Sequence, residues 1–587
     1  MTKVVIKQAK IKNYPSKQNL FRPNELYPEY LFPEDLSKET NLVYPMIRDA
    51  LVMMGFDTNH FGTCCWNPLG ELIKPGDNVL IKPNLVLDKN ASGCGNDCLY
   101  TNPSLVAAIV DYVLIALKGS GRIIIGDAPL QECSFEKLSM ESGYAEMVAY
   151  YKTKNIDISL VDFRNVKTII NNNLHYMQED ESSNGIDVRI DEASAFVGLD
   201  QDRIEKMRIT NYDPRILQKH HDVNRHEYRI SEYVLKADVI INMPKPKTHR
   251  KAGVTISLKN LVGINANKEY LPHHTIGSKE EGGDAYQVSN NYLTFANKIL
   301  DLKNELVHDN DMVLAGIAQA LYQGLLEKGL KVSKEKYWEG SWYGNDTIWR
   351  TIKDLNAILL YANKDGVLTN SIQRKVLIVG DMIVSGQKEG PLEPVPIYPG
   401  AVVVGLDSVW FDRVVCSLMG FSYREIPSLC RYSNEDRYPI CLSEDYEVIS
   451  NNPSWNGQRC ETIVKESSLE FQPTIGWIEK LGNKYIERLI DSLHTESVNC
   501  VYVFGAGTGG IYAKEILGKN NIKITAFIDN NVELHGQLID GTIKCISPND
   551  VPAGSHIIIG ARDRYSKEIE KQIEEMKCIC NGIINKG

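Results

Sequence analysis

No apolar stretch in the 587 residues reaches the ~18 needed to cross a bilayer, so no membrane span is expected. The opening MTKVVIKQAKIKNYP lacks the apolar core of a secretory leader, and a cytoplasmic location is the expectation. No basic surplus exists either. With a formal net charge of −10, the chain is a poor general nucleic-acid binder, because such proteins need a cationic face to neutralise phosphates. The C-x2-C-x2-C-x3-C-P pattern is absent, so direct iron–sulfur electron transfer is not supported. The 13 cysteines are expected to be mostly free thiols. Cys64, Cys65, Cys94 and Cys98 are close enough in sequence to suggest a metal. They lack a second well-spaced pair, and no metal site is assigned.

A local absence is more informative. No Asp or Glu occurs between Asp238 and Glu269 in this acidic chain. The stretch holds Lys245, Lys247, Arg250, Lys251 and Lys259, with His249 among them. Val239-Ile240-Ile241 before it is a β-branched run suited to a strand buried on both faces. Pro244 and Pro246 then force the chain out of the sheet. Val254 to Leu258 returns to alternating, strand-like character, and Lys259, Asn260 and Gly263 set a cation and an amide beside a flexible backbone point. A cationic cluster where a strand ends is where an α/β sheet binds an anionic ligand.

The pattern recurs elsewhere in the chain. Asn78 to Ile81 reads as a strand that delivers Lys82 and Asn84 at its end, and Lys375 to Ile378 as one that runs on to Asp381. Pro103 to Leu117 reads as a buried helix, and Ile123 to Ile125 as a strand ending in Asp127; strand, helix and strand at this spacing predict parallel pairing. A further strand, Gly400 to Val404, precedes Asp407. Residues 45–54 and most of 296–362 read as helical, and Gln178 to Gly185 as an exposed loop. His220, His221 and His226, like His273 and His274, read as solvated or substrate-lining residues rather than metal ligands.

Near the end, Val501 to Phe504 leads into Gly505, Gly507 and Gly510 in strand–turn–helix context, and a second strand ends in Asp529. The glycines let backbone approach a phosphate at a helix N-terminus, and the acid suits a ribose hydroxyl. The expected cofactor is a nucleotide or nucleotide sugar, with NAD(P) as one option. FGAGTGG and FIDNN resemble the small Rossmann-like modules attached to sugar-modifying proteins of surface-polysaccharide pathways.

The segment PKPKTHRKAGVTISLKNLVG resembles the hallmark of the domain of unknown function 362 family. The likeness extends to VLIKPNL, IGDAP and GLDSVWFD, over roughly residues 40–430. The family is in turn distantly similar in layout to lactate racemase, which implies proton or hydride chemistry beside a carbonyl.

The expected fold is α/β: a large, mostly parallel sheet with helices on both faces over residues 1–430, a connecting region over 431–495, and a Rossmann-like domain over 496–587. The expected function is an enzyme acting on an anionic nucleotide sugar or sugar acid in cell-surface polysaccharide biosynthesis, by proton or hydride transfer. His249, Lys247, Asp127 and Asp381 are the catalytic candidates. Lys82, Asn84, Lys245, Lys259 and Asn260 are the substrate-binding ones. A nucleotide-sensing assembly protein and a cysteine-based redox protein are the competing classes, and self-association into a homo-oligomer is left open.

Overall fold

The structure, a computed structural model, describes residues 1–171, 174–179, 185–333 and 337–585. Of the run from Gln178 to Gly185 expected as an exposed loop, 180–184 lie outside the described residues, whereas Gln178 and Glu179 end one strand and Gly185 begins another.

Eight strands form the main sheet: β1 (Thr2–Gln8), β2 (Asn78–Pro83), β3 (Arg122–Asp127), β4 (Ile158–Asp162), β5 (Val239–Met243), β6 (Lys375–Met382), β7 (Ala401–Gly405) and β8 (Tyr446–Ser450). Their spatial order is β8-β1-β7-β6-β5-β2-β3-β4. The run from β6 to β4 is parallel throughout, and β7 is antiparallel to both of its neighbours. The alternation of side chains along β5 divides the interior into two layers. Val239, Ile241 and Met243 join one hydrophobic cluster with helices α1 (Val43–Met53) and α2 (Pro103–Leu117). Ile240 joins the other, with α3 (Ile348–Tyr361) and α4 (Ser408–Met419). This two-sided burial is why the strand reads as a continuous β-branched run. Among the described residues, no helix is long and apolar enough to cross a membrane.

Two expectations need correction. The first is the connecting region. Strand β8 pairs in parallel with β1 at the sheet edge, and Trp455, Phe471 and Trp477 are buried in the body's core. The body therefore runs to about Leu481. Isolated aromatics without periodicity hid this packing, since each fills a gap rather than a stripe. The second is the strand-like run from Val254 to Leu258. Only Gly253–Thr255 is strand, and Ser257–Asn260 is a helical turn. Asp412 of α4 accepts hydrogen bonds from the Ser257 and Leu258 N–H groups at 2.8 and 3.0 Å, so a carboxylate distant in sequence caps the turn.

A second sheet follows: β9 (Cys500–Phe504), β10 (Lys523–Ile528), β11 (Leu538–Ile539), β12 (Ile543–Ile546), β13 (His556–Ile559) and β14 (Ile579–Ile583). Its order is β11-β12-β10-β9-β13-β14, parallel apart from the β11–β12 hairpin. The unit begins with helix Lys484–Thr495, whose Ile490 and Leu493 lie in its core.

Four short strands crown the carboxyl edge of the main sheet, in the order Gly253–Thr255, Lys247–His249, Ser385–Glu389, Glu393–Ile397. The hairpin of the last two links the body to the second sheet. Lys388 Nζ pairs with Asp563 at 2.8 Å and donates to Asn585 Oδ1 at 2.6 Å, and all three side chains are largely buried.

Candidate functional site

Where β2, β3 and β5 end, a pocket of about 210 Å³ opens under the crown. Its walls include Asn84, Asp127, Lys247, His249, Lys259 and Asn260, each singled out by sequence, and also Lys251, Lys268, His273 and Glu339. The strand ends explain the meeting, because ligands of open parallel sheets sit outside those ends.

The floor is one hydrogen-bonded chain. Lys82 Nζ lies 2.7 Å from Asp127 Oδ1 and donates to the Pro83 carbonyl at 2.9 Å and to Asn260 Oδ1 at 3.1 Å. Asn260 Oδ1 also accepts from Asn84 Nδ2 at 3.0 Å. Asn84 Oδ1 in turn accepts from Lys247 Nζ at 2.8 Å, and Lys247 donates as well to the Leu99 carbonyl. Asp127 Oδ2 accepts from the Leu85 N–H at 2.7 Å. Lys82 is sealed beneath the pocket rather than lining it, so it acts on a ligand through Asp127 and Asn260.

Gly263 makes the floor possible. A Cβ there would stand 1.9 Å from Asp127 Oδ1 and 2.8 Å from Lys82 Nζ. Close approach of backbone to the ion pair is what this position requires, rather than flexibility.

The electrostatics are unusual. Burial is the largest influence on every lysine here, because a cation loses its hydration. It pulls Lys247 down to about 7, with Lys245 adding to the effect and the neighbouring Cys98 opposing it. It pulls Lys268 down to about 7 against the pull of Asp127, and Lys259 to about 8 with help from Lys82. Lys259 keeps part of its side chain open to the pocket, which leaves its shift the more easily screened. Lys251 is bound to Glu339, with Nζ 3.4 Å from the carboxylate.

The two histidines take complementary tautomers. His249 Nδ1 accepts from the Lys251 and Ala252 N–H groups, both at 3.1 Å, which leaves the ring hydrogen on Nε2. His273 Nδ1 donates to the Leu271 carbonyl at 2.7 Å, which leaves a lone pair on Nε2. Burial, then Lys259 and other nearby cations, hold His249 well below its ordinary range and His273 at about 3. His249, a catalytic candidate by sequence, is therefore a neutral ring that offers a hydrogen at Nε2.

Asp381 and Lys245 do not join the pocket. Lys245 Nζ donates to Asp381 Oδ2 at 2.6 Å, to the Tyr14 hydroxyl at 2.7 Å and to the Val384 carbonyl at 2.9 Å, and neither ion is exposed. Tyr14 closes the cluster onto Asp381 Oδ1 at 2.6 Å. A buried ion pair with every donor filled is a structural post. Asp407 is likewise structural: it caps α4 by accepting from the Val409 and Trp410 N–H groups at 3.0 Å. The three strand-end acids thus serve three different places. Lys268 was missed as a site residue, although it closes the acid-free run one residue before Glu269.

All 13 cysteines are free thiols, and among the described residues no three His, Cys, Asp or Glu side chains group as metal ligands.

At the second sheet, Gly505 has φ +106°, and a Cβ on Gly510 would meet the Gly505 carbonyl oxygen at 1.9 Å. Both glycines serve the close packing of helix Thr508–Lys519 on β9, whereas a Cβ on Gly507 would meet open space. Asp529 accepts from the Ala506 and Asn531 N–H groups, each at 2.9 Å, and so braces the turn itself.

Residues 79–195 and 182–417, more than half of the chain, match the family described as a domain of unknown function, DUF362. The chain belongs to that family. The DUF362 region holds every residue of the pocket floor. Residues 497–584 match a family described as C2185-like, N-terminal. A thylakoid-associated protein of Synechocystis is 26% identical over 212 residues, which are 36% of this chain and 46% of that relative. The match thus spans under half the length of the relative.

Proposed function

We propose that the DUF362 body is an enzyme that acts on a small anionic metabolite by moving a proton at the carbon beside a carbonyl or carboxylate. The observation that carries this reading is the pocket's imbalance of charge. Lys259 and Lys268 line it with no hydrogen-bond or ion-pair partner among the described residues, and Asp127 and Glu339 are engaged with Lys82 and Lys251. Buried cations without counter-ions are costly, and an arriving anion removes that cost. Lysines held near neutrality are also suited to general-base work, and His249 Nε2–H is suited to polarising a carbonyl oxygen.

Size narrows the substrate. At about 210 Å³ the pocket is smaller than the roughly 300–1,000 Å³ of sites for drug-sized ligands. A pocket of this size suits a sugar acid or a shorter acid. The nucleotide belongs at the second sheet, which we read as Rossmann-like. Helix Thr508–Lys519 begins at Gly507 with no side-chain cap, so its first N–H groups suit a phosphate. A nicotinamide cofactor held there would supply hydride chemistry. The wider setting we propose, cell-surface polysaccharide biosynthesis in the cytoplasm, rests on the likeness of FGAGTGG and FIDNN to modules of that pathway.

The test uses the full chain and a panel of small acids (lactate, malate, glucuronate, pyruvate) in heavy water. Calorimetric binding together with deuterium incorporation at the α carbon is expected. Binding of none at millimolar concentration overturns the reading, and binding without exchange removes the proton-transfer part.

A further inference from the structure

We infer that Lys268 is a nucleophilic lysine that captures the carbonyl carbon of a small oxo acid as an imine. The inference rests on the pocket being an anion site, as proposed above, and adds a covalent activity to it.

Five amino groups surround the pocket, and geometry separates them. Lys82 has its three donors committed to Asp127, Pro83 and Asn260. Lys247 is spent on Asn84 and the Leu99 carbonyl. Lys251 is tied to both the backbone and the carboxylate of Glu339. Lys259 has no partner among the described residues but is partly open to solvent. Lys268 alone is both buried, at 7% exposure, and without a hydrogen bond or ion pair among the described residues, and it lines the pocket.

An amine in that position is desolvated by the protein and crowded by Lys82 and Lys259, the two conditions that keep a lysine neutral and nucleophilic. Its backbone is fixed by a short helical turn, where Asn267 Oδ1 accepts from the Glu269 N–H at 2.9 Å. Asp127 Oδ1 adds a proton acceptor on the same wall. Lys82 pairs with that oxygen at 2.7 Å, and a carboxylate oxygen carries a second lone pair that can take a proton.

The step balances without an oxidant or cofactor. The Lys268 lone pair attacks the carbonyl carbon, the C=O π pair moves to oxygen, and Asp127 takes the proton released from nitrogen. The Lys259 ammonium and Asp127 then return two protons to the carbinol oxygen, which leaves as water as the nitrogen pair forms the protonated imine. Overall, one carbonyl, one neutral amine and one proton give one iminium and one water. His249 Nε2–H polarises the carbonyl oxygen during attack.

The test is reductive trapping. The full chain is incubated with pyruvate or glyoxylate and borohydride, measured by intact mass, and digested to locate the modified lysine. One adduct of the reduced imine mass on Lys268 is expected, suppressed by lactate, which shares the carboxylate but has no carbonyl. Lys268→Met should abolish it and Lys268→Arg should keep acid binding without trapping. Peptide mapping of the unaltered chain keeps the answer independent of whether either variant folds. Pyruvate that binds but is never trapped, or an adduct placed on another lysine, overturns the inference and leaves the anion site standing. Failure of every acid to bind overturns both.

Discussion

Replacing Gly263 with alanine tests the pocket floor at its narrowest point. The added methyl would sit 1.9 Å from Asp127 Oδ1 and 3.0 Å from Lys82 Cε, so the ion pair and the backbone cannot both keep their places. Asp127 cannot simply swing aside, since its other oxygen holds the Leu85 N–H at 2.7 Å. The pair must open and leave Lys82 buried without its partner. Breaking one side of a buried pair costs about 3–5 kcal/mol, well above the roughly 1–3 kcal/mol of simple overpacking. We therefore expect the body to lose about 3 kcal/mol, on the order of a hundredfold in its folding equilibrium. Urea unfolding followed by tryptophan fluorescence reads this loss, since Trp66, Trp455 and Trp477 are all buried in the body. A double-mutant cycle isolates the cause. In an Asp127→Ala background the methyl no longer meets the carboxylate and has only the flexible end of Lys82 to move, so most of its cost should vanish. Costs that add to within about 0.5 kcal/mol in the double variant would refute the argument, as would a Gly263→Ala protein that unfolds at the unaltered midpoint.

Affinity for a carboxylate should be highest below pH 7 and fall as pH rises through 7 to 8, because Lys247 and Lys268 lose charge near 7 and Lys259 near 8; calorimetry across that range should show about a ten- to hundredfold drop for each ammonium that is neutralised. The folded values lie below the ordinary lysine value of about 10.4, so the empty protein should carry a stability cost in full below pH 7 that fades as pH rises toward 10, read by thermal unfolding of the apo chain. Lys388→Met should loosen the second sheet from the body, and limited proteolysis should then cut near Gly482, releasing a fragment that begins about Lys484. Gly507→Val points its side chain into open space, so it should leave unfolding unchanged while weakening adenine or uridine nucleotides in calorimetry.

Much of this was legible because local rules and the fold agree. The strand Val239–Met243, the prolines after it and the cationic run that follows announce a cationic sheet edge, and the structure places a pocket there. What was not legible depends on partners distant in sequence. Nothing near Asp381 says that Tyr14 and Lys245 will enclose it, yet that enclosure separates a post from a site residue. Val254 to Leu258 reads as strand throughout, until Asp412 arrives from a helix more than a hundred residues later and caps a turn at Ser257. Composition concealed Lys268 in the opposite way. It stands beside Glu269 in sequence, which suggests a solvated pair, whereas its amino group is buried at the pocket wall.

The position of the Ser385–Ile397 hairpin bears on how the two units could work together. Its tip supplies Pro391 and Leu392 to the pocket wall, and Lys388 on the same hairpin reaches into the second sheet. The Thr248 hydroxyl donates to the Lys388 carbonyl at 2.7 Å, and the Arg250 N–H donates to the Gly390 carbonyl at 2.9 Å, so the hairpin is fastened on both sides of His249. Asn585, which accepts from Lys388, also packs against the glycine turn, where a Cβ on Gly509 would lie 3.3 Å from its own Cβ. A phosphate at Gly507 to Gly509 would therefore meet the same Asn585 that receives Lys388. Any shift it imposed there would reach the hairpin whose other face borders the lysine-lined pocket. Coupling of this kind is reciprocal. A small acid in the pocket should change nucleotide affinity at the glycine turn by the same factor that the nucleotide changes the acid's, and Lys388→Met should bring both factors to one.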